Sequence, residues 1–166
     1  MAFRRPKYLV ERTSRGYVVH LQREEAELVA RLLGELRGLI TSDDPDVAPM
    51  LRRLFPPAYH LADDAEAEAE YQKYMREELV ASRLASIEQV QQALLSREPL
   101  DDAGVQGFMQ SVNAVRLVLG VLLDVGEEHD PTDVRDDDPM VGEHHLYAFL
   151  SWVLESTVQA ITRQGT

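Results

Sequence analysis

Hydrophobic and polar positions change their period several times along the chain, and each change marks an element. Tyr8 to Arg12 and Tyr17 to Leu21 are short runs with aromatic and branched residues, separated by Thr13-Ser14-Arg15-Gly16. They predict a β-hairpin over about residues 8–21, with Gly16 supplying the positive φ of the turn. From Gln22 the period becomes helical. Leu28, Val29, Leu32, Leu33, Leu36, Leu39 and Ile40 share one face, and Glu24, Glu25 and Glu27 sit at the end where the macrodipole favours anions. This predicts an amphipathic helix over 22–40; Thr41-Ser42-Asp43-Asp44-Pro45 stops it and offers caps for a short second helix over 46–55.

The next stretch, Leu54 to Tyr71, turns a corner. Pro56 restricts Phe55, and neither Pro56 nor Pro57 donates a backbone hydrogen bond, so the second helix ends there. Asp63 or Asp64 then caps a third helix, with Glu66 in the first turn. His60 with Asp63 and Asp64 has the donor types of a metal site, but capping accounts for the aspartates and the ligand count is low. A third helix over 64–96 would be ~50 Å long, more than a domain of this size needs, so it must project, bend or break. Tyr71, Tyr74 and Met75 lie on one side of it. Val80, Leu84, Ile87 and Leu94 lie on a stripe rotated well away, so the two halves pack on different neighbours; a second copy of the chain is the cover for this stripe if the chain's own bundle already covers the other face, and the chain's own core is the alternative.

Arg97-Glu98-Pro99-Leu100 breaks that helix, and Asp101 or Asp102 caps a fourth over 102–123. It is apolar almost all round from Val112, which places it at the centre of a bundle. Asn113, Arg116 and Gly120 fall near one another on its wheel, predicting a buried polar cluster beside a close approach, with a carboxylate on a neighbouring helix as the partner of Arg116. Residues 124–142 carry seven acids from Glu127 to Asp138, Pro131 and Pro139, and no hydrophobic period; they read as a solvated acidic loop. A last helix over 143–163 buries Leu146, Phe149, Leu150, Val153, Leu154, Thr157 and Ile161. The fold class is therefore mainly α, a bundle of about five helices with a short N-terminal β-hairpin, in a single domain over 1–166.

Charge divides unevenly along this plan. Residues 1–23 hold six basic residues against Glu11 alone, so the net −12 of the chain separates into +5 on the arm and −17 on the body. Arg4, Arg5, Lys7, Arg12 and Arg15 are the candidate partner-binding residues; an acidic body confines any nucleic-acid contact to this arm or to a partner protein. The same arm would also be satisfied by lying against its own acidic body. With no cysteine, thiolate metal sites, disulfides, cysteine nucleophiles and thiol switching are excluded, while Met50, Met75, Met109 and Met140 retain oxidation chemistry. The longest apolar run, Leu117 to Leu123, is far short of the ~20 residues of a membrane span, and the expectation is a soluble, cytoplasmic protein.

Catalytic signatures are missing: there is no glycine-rich phosphate loop, HExxH pair, nucleophile elbow or Glu-x-x-His di-iron set. His144 and His145 are adjacent and point about 100° apart, so they do not grip one ion together. No enzyme activity, metal or cofactor is expected. Binding other proteins is the better class, with direct DNA binding through the basic arm as the rival.

LRRLFPPAYHLADDAEAEAEYQ, VNAVRLVLGVLLDV and LYAFLSWVLESTVQAI, in this order, resemble an actinobacterial family listed as a domain of unknown function. Its members tend to be encoded beside the ClpS protease adaptor, and it also bears the name of an actinomycete oxidative-stress-responsive transcriptional regulator. The resemblance implies a non-catalytic regulator of stress-responsive transcription, partnered by transcription machinery, or an adaptor of Clp proteolysis. Ala114 stands where the resemblance leads one to expect an acid beside the asparagine, and a signal read through cysteine is ruled out by their absence.

Overall fold

In the computed structural model, which describes residues 7–54, 65–124 and 135–163, the chain opens with strands β1 (Val10–Thr13) and β2 (Gly16–Val19), paired antiparallel with Val10 opposite Val19. Gly16 takes the positive φ expected of it, at 121°. Helix α1 (Arg23–Ile40) follows at once, its first turn fixed by Glu25 accepting the Gln22 backbone N–H at 2.9 Å. The predicted face is the buried one: Val29, Leu33, Leu36 and Ile40 enter the core, with Leu32 and Leu39 packed on its edge.

The expected second helix over 46–55 does not form. In its place is a single 3-10 turn, Ala48–Leu51. Pro49 removes one backbone donor, and so short a segment does not repay the cost of nucleating an α-helix. Among the described residues the expected mainly α bundle with its N-terminal hairpin therefore forms from four α-helices and this 3-10 turn. The corner at Phe55 to Asp64, including the two prolines, His60 and the candidate caps Asp63 and Asp64, lies outside the described residues, as do Arg4, Arg5 and 125–134 of the acidic loop.

Helix α2 (Ala65–Ser96) runs unbroken for 32 residues, ~48 Å. Of the alternatives for its length, it projects: every described side chain from Glu66 to Leu79 is exposed, and burial begins at Val80. It ends at Arg97, which takes a left-handed φ of 63° and donates from its guanidinium to the Leu21 carbonyl, joining the helix end to the hairpin exit. Helix α3 (Asp102–Leu122) is capped by Asp101, whose carboxylate accepts the Gly104 N–H at 2.6 Å. Helix α4 (Val141–Thr162) begins two residues before its expected start.

α3 is the hub, touching α1, α2, α4, the 3-10 turn and β2. That position accounts for its composition: it is the one described helix with the length and hydropathy of a membrane span, yet Val105, Phe108, Val112, Val115 and Val118 are spent on its neighbours. The hairpin closes one end of the bundle, with Tyr17 and Leu100 exchanging backbone hydrogen bonds of 2.7 and 2.8 Å. The end of α2 and the start of α3 meet β2 there, and Arg163 at the end of α4 reaches Tyr8. The helices accordingly run alternately away from the hairpin and back.

The stripe Val80, Leu84, Ile87 and Leu94 is covered from within the chain. Ile87 and Leu94 are buried in the core, and Val80 and Leu84 pack against it. The expectation of a second copy over these residues is thereby corrected: α1 and α3 lie where the partner was expected.

Candidate functional site

Among the described residues, the projecting half of α2 carries the most conspicuous exposed apolar stripe. Residues 71, 75 and 79 succeed one another at helical spacing, with Tyr74 beside them. Tyr71 is 57% and Tyr74 61% exposed, and Met75 and Leu79 complete the stripe. The change in pattern along this helix is legible in the sequence, but which half finds cover inside the chain is not.

Where α2 reaches α3, small residues let the two backbones approach. A Cβ added at Gly107 would lie 2.8 Å from the Ser86 Oγ. On one side of this crossing a cleft of about 290 Å³ opens between Leu79, Ser82 and Arg83 of α2 and Gln110, Ser111 and Ala114 of α3. On the other side, Ser86 also borders a hollow of about 460 Å³ reaching Gln89, Gly104 and the hairpin residue Arg15. Sequence reasoning missed this groove. Its trace is the i, i+4 spacing of Ser82 and Ser86 and of Gly107 and Ser111, which marks small residues on one face of each helix.

The polar cluster predicted on α3 forms with a different partner. Arg116 donates to Asn113 Oδ1 at 3.0 Å and to the Tyr147 hydroxyl at 3.3 Å, and its guanidinium lies 5.6 Å from the Tyr147 ring centre. The expected carboxylate is thus replaced by a phenol and an amide, and Nε of Arg116 is buried with no hydrogen-bond partner among the described residues. The close approach at Gly120 is made by side chains: a Cβ there would lie 2.8 Å from Arg53 Nη1 and 3.3 Å from the Tyr147 ring. Half-buried and held from three sides, this cluster joins α3, α4 and the chain after the 3-10 turn. Its geometry is that of a structural clamp.

Of the basic arm, Lys7, Arg12 and Arg15 are described, and all three are exposed. They do not share one face of a helix or a common cleft: Arg12 is on β1, Arg15 in the turn, and Lys7 ahead of the hairpin. Lys7 and Arg163 both stand over the Tyr8 ring, at 5.2 and 3.9 Å from its centre. Lys7, through a hydrogen bond and its charge, and then Arg163 hold the Tyr8 hydroxyl below the ordinary tyrosine range. Glu11 is engaged by His20 at 3.1 Å across the hairpin. Among the described residues no group of three or more His, Asp or Glu side chains is gathered as a metal site would require.

Neither a curated protein nor a solved structure matches the chain. The family described as a domain of unknown function (DUF2017) matches it over residues 2–161, nearly its whole length, and so takes in the hairpin, the hub helix and the projecting helix alike. The chain belongs to this DUF2017 family.

Proposed function

We propose that this protein is a non-catalytic regulator or adaptor that acts by binding another protein. The observation that carries this reading is the stripe Tyr71, Tyr74, Met75 and Leu79 on a helix half that projects ~21 Å from the bundle. Among the described residues none covers this stripe, and aromatic residues so displayed supply large contact area to a partner at low entropic cost. Affinity capture from actinobacterial lysate, with the wild type and with the Tyr74→Asp, Leu79→Asp double variant, tests it. A specific protein held by the wild type and lost by the variant supports the proposal; equal recovery by both, or none by either, refutes it.

The finer reading, a cytoplasmic regulator of stress-responsive transcription or an adaptor of Clp proteolysis, rests on the family resemblance drawn from the helix-break and core motifs. A redox signal without cysteine has one suitable receiver on this stripe. Oxidising Met75 places a polar sulfoxide among the aromatics, and capture repeated after mild oxidant should lose the partner. The rival, direct DNA binding, is favoured by the cationic corner of Lys7 and Arg163 around Tyr8. Such binding would weaken with salt at a log–log slope of about −0.9 per neutralised phosphate, and it would fall sharply on removal of residues 1–7.

A further inference from the structure

We propose that the groove between α2 and α3 receives an acidic peptide segment, one carboxylate of which docks between Arg83 and Ser111. This rests on the protein-binding reading and names the chemistry of the partner. Arg83 is half-buried at the rim of the cleft and, among the described residues, makes no hydrogen bond or ion pair. Burial pushes its pKa below the ordinary arginine value, so among the described residues a partly desolvated cation stands without a paired charge. An incoming carboxylate would supply the missing partner, in the planar geometry that guanidinium favours.

Ser111 is the second, independent observation. It is 3% exposed, lies in the wall of the same cleft, and its hydroxyl has no hydrogen-bond partner among the described residues. A buried hydroxyl inside a helix can be satisfied by the carbonyl four residues earlier, as that of Thr157 is by Val153 at 2.7 Å. Ser111 instead keeps its donor for the cleft, where Gln110 and Ser82 offer further polar contacts.

The shape selects the occupant. From Leu79 to Ile87 the cleft of Arg83 and Ser111 follows α2 for ~12 Å, the length of about four extended residues. Arg83 lines this cleft and Arg15 the hollow beyond Ser86, and Leu79, Ile87 and Ala114 supply apolar surface beside Arg83. A cation beside an apolar wall suits a short segment of acids spaced by apolar residues. A nucleic acid would need a row of cations, which these residues do not provide, and Asp101 in the far hollow opposes any anion there, so the docking carboxylate is confined to the lobe of Arg83. Because the chain as a whole carries −12, acidic probes are repelled at long range, and binding by one reports the local contact.

Fluorescence anisotropy with a labelled octapeptide of alternating glutamate and leucine, against its glutamine counterpart, provides the test. The wild type should favour the glutamate peptide about tenfold, the lower end of what a charge-assisted hydrogen bond to a half-buried guanidinium implies. Arg83→Gln should abolish that preference, Arg83→Lys should restore part of it, and Ser111→Ala should weaken the glutamate peptide several-fold, all with wild-type thermal melts. No preference in the wild type, or a preference unchanged in Arg83→Gln, overturns the assignment. So does displacement of the peptide by an equal concentration of inorganic phosphate or free glutarate, which would make this a site for small anions. Tyr74→Asp separates the two proposals. If it abolishes peptide binding while Arg83→Gln does not, the stripe is the docking surface and the groove is not; if lysate capture fails while the peptide preference holds, the groove stands and the earlier reading falls.

Discussion

Replacing Gly16 with alanine should destabilise the whole fold through one atom. The residue sits at φ 121°, where a side chain is strained whatever the surrounding space, at a cost of about 1–3 kcal/mol. The new Cβ would also lie 2.5 Å from the Leu100 carbonyl oxygen, a backbone atom that cannot rotate aside. That oxygen accepts the Tyr17 N–H at 2.7 Å, and the Leu100 N–H is returned to Tyr17 at 2.8 Å. Relieving the clash pulls this pair apart, costing about 1 kcal/mol per hydrogen bond. It also lifts the buried Tyr17 from the core. Together these give about 3–5 kcal/mol, and for a chain of this length roughly a 10 °C loss in Tm. Circular-dichroism melts of the wild type, Gly16→Ala and Ser14→Ala provide the measurement, since Ser14 is exposed in the same turn and its replacement should fall within ~0.5 kcal/mol of the wild type. A Gly16→Ala melt within about 2 °C of the wild type would refute the claim that the hairpin is locked to the α2–α3 connection.

Arg116→Leu should cost only about 1–2 kcal/mol in urea unfolding, because the groups left behind are a phenol and an amide and the unpartnered Nε is removed too; a loss above ~3 kcal/mol would point to a carboxylate partner. Leu84→Glu places a charge against the core and should give unfolded or aggregated protein by light scattering and circular dichroism, whereas Tyr71→Ser should melt as the wild type does; a folded monomer from Leu84→Glu would return that stripe to the surface. The phenolate absorbance of Tyr8, assigned against Tyr8→Phe, should appear below the ordinary tyrosine range and move up in Lys7→Gln more than in Arg163→Gln. Since the lowered value favours the ionised phenol in the fold, any stabilisation is fully present above the ordinary tyrosine value and is lost as pH falls through the lowered one, so neither substitution should alter stability at neutral pH through this group.

Local signals in the sequence determined the elements whose cause is local. The helical period of Leu33, Leu36 and Ile40 reappears as the buried face of α1, the near-continuous apolarity of α3 as the hub, and the turn Thr13 to Gly16 as the hairpin with its positive φ. Each follows from backbone sterics or from a face that must leave water, and neither needs a distant residue to be specified. Periodicity reports that a face is apolar, never what lies against it. For that reason Ile87 and Leu94, expected under a second copy, are in the chain's own core, while Tyr71 and Tyr74 are the residues left in solvent. The same holds for the polar groups: the partner of Arg116 sits 31 residues away at Tyr147, and the groove of Arg83 and Ser111 exists because Gly107 lets α3 approach Ser86. The short segment around Pro49 marks the boundary between the two cases, having helical composition but too few residues for propagation to repay nucleation. Which surfaces meet was decided by the competition among all faces for one core, and that competition is settled only in the tertiary structure.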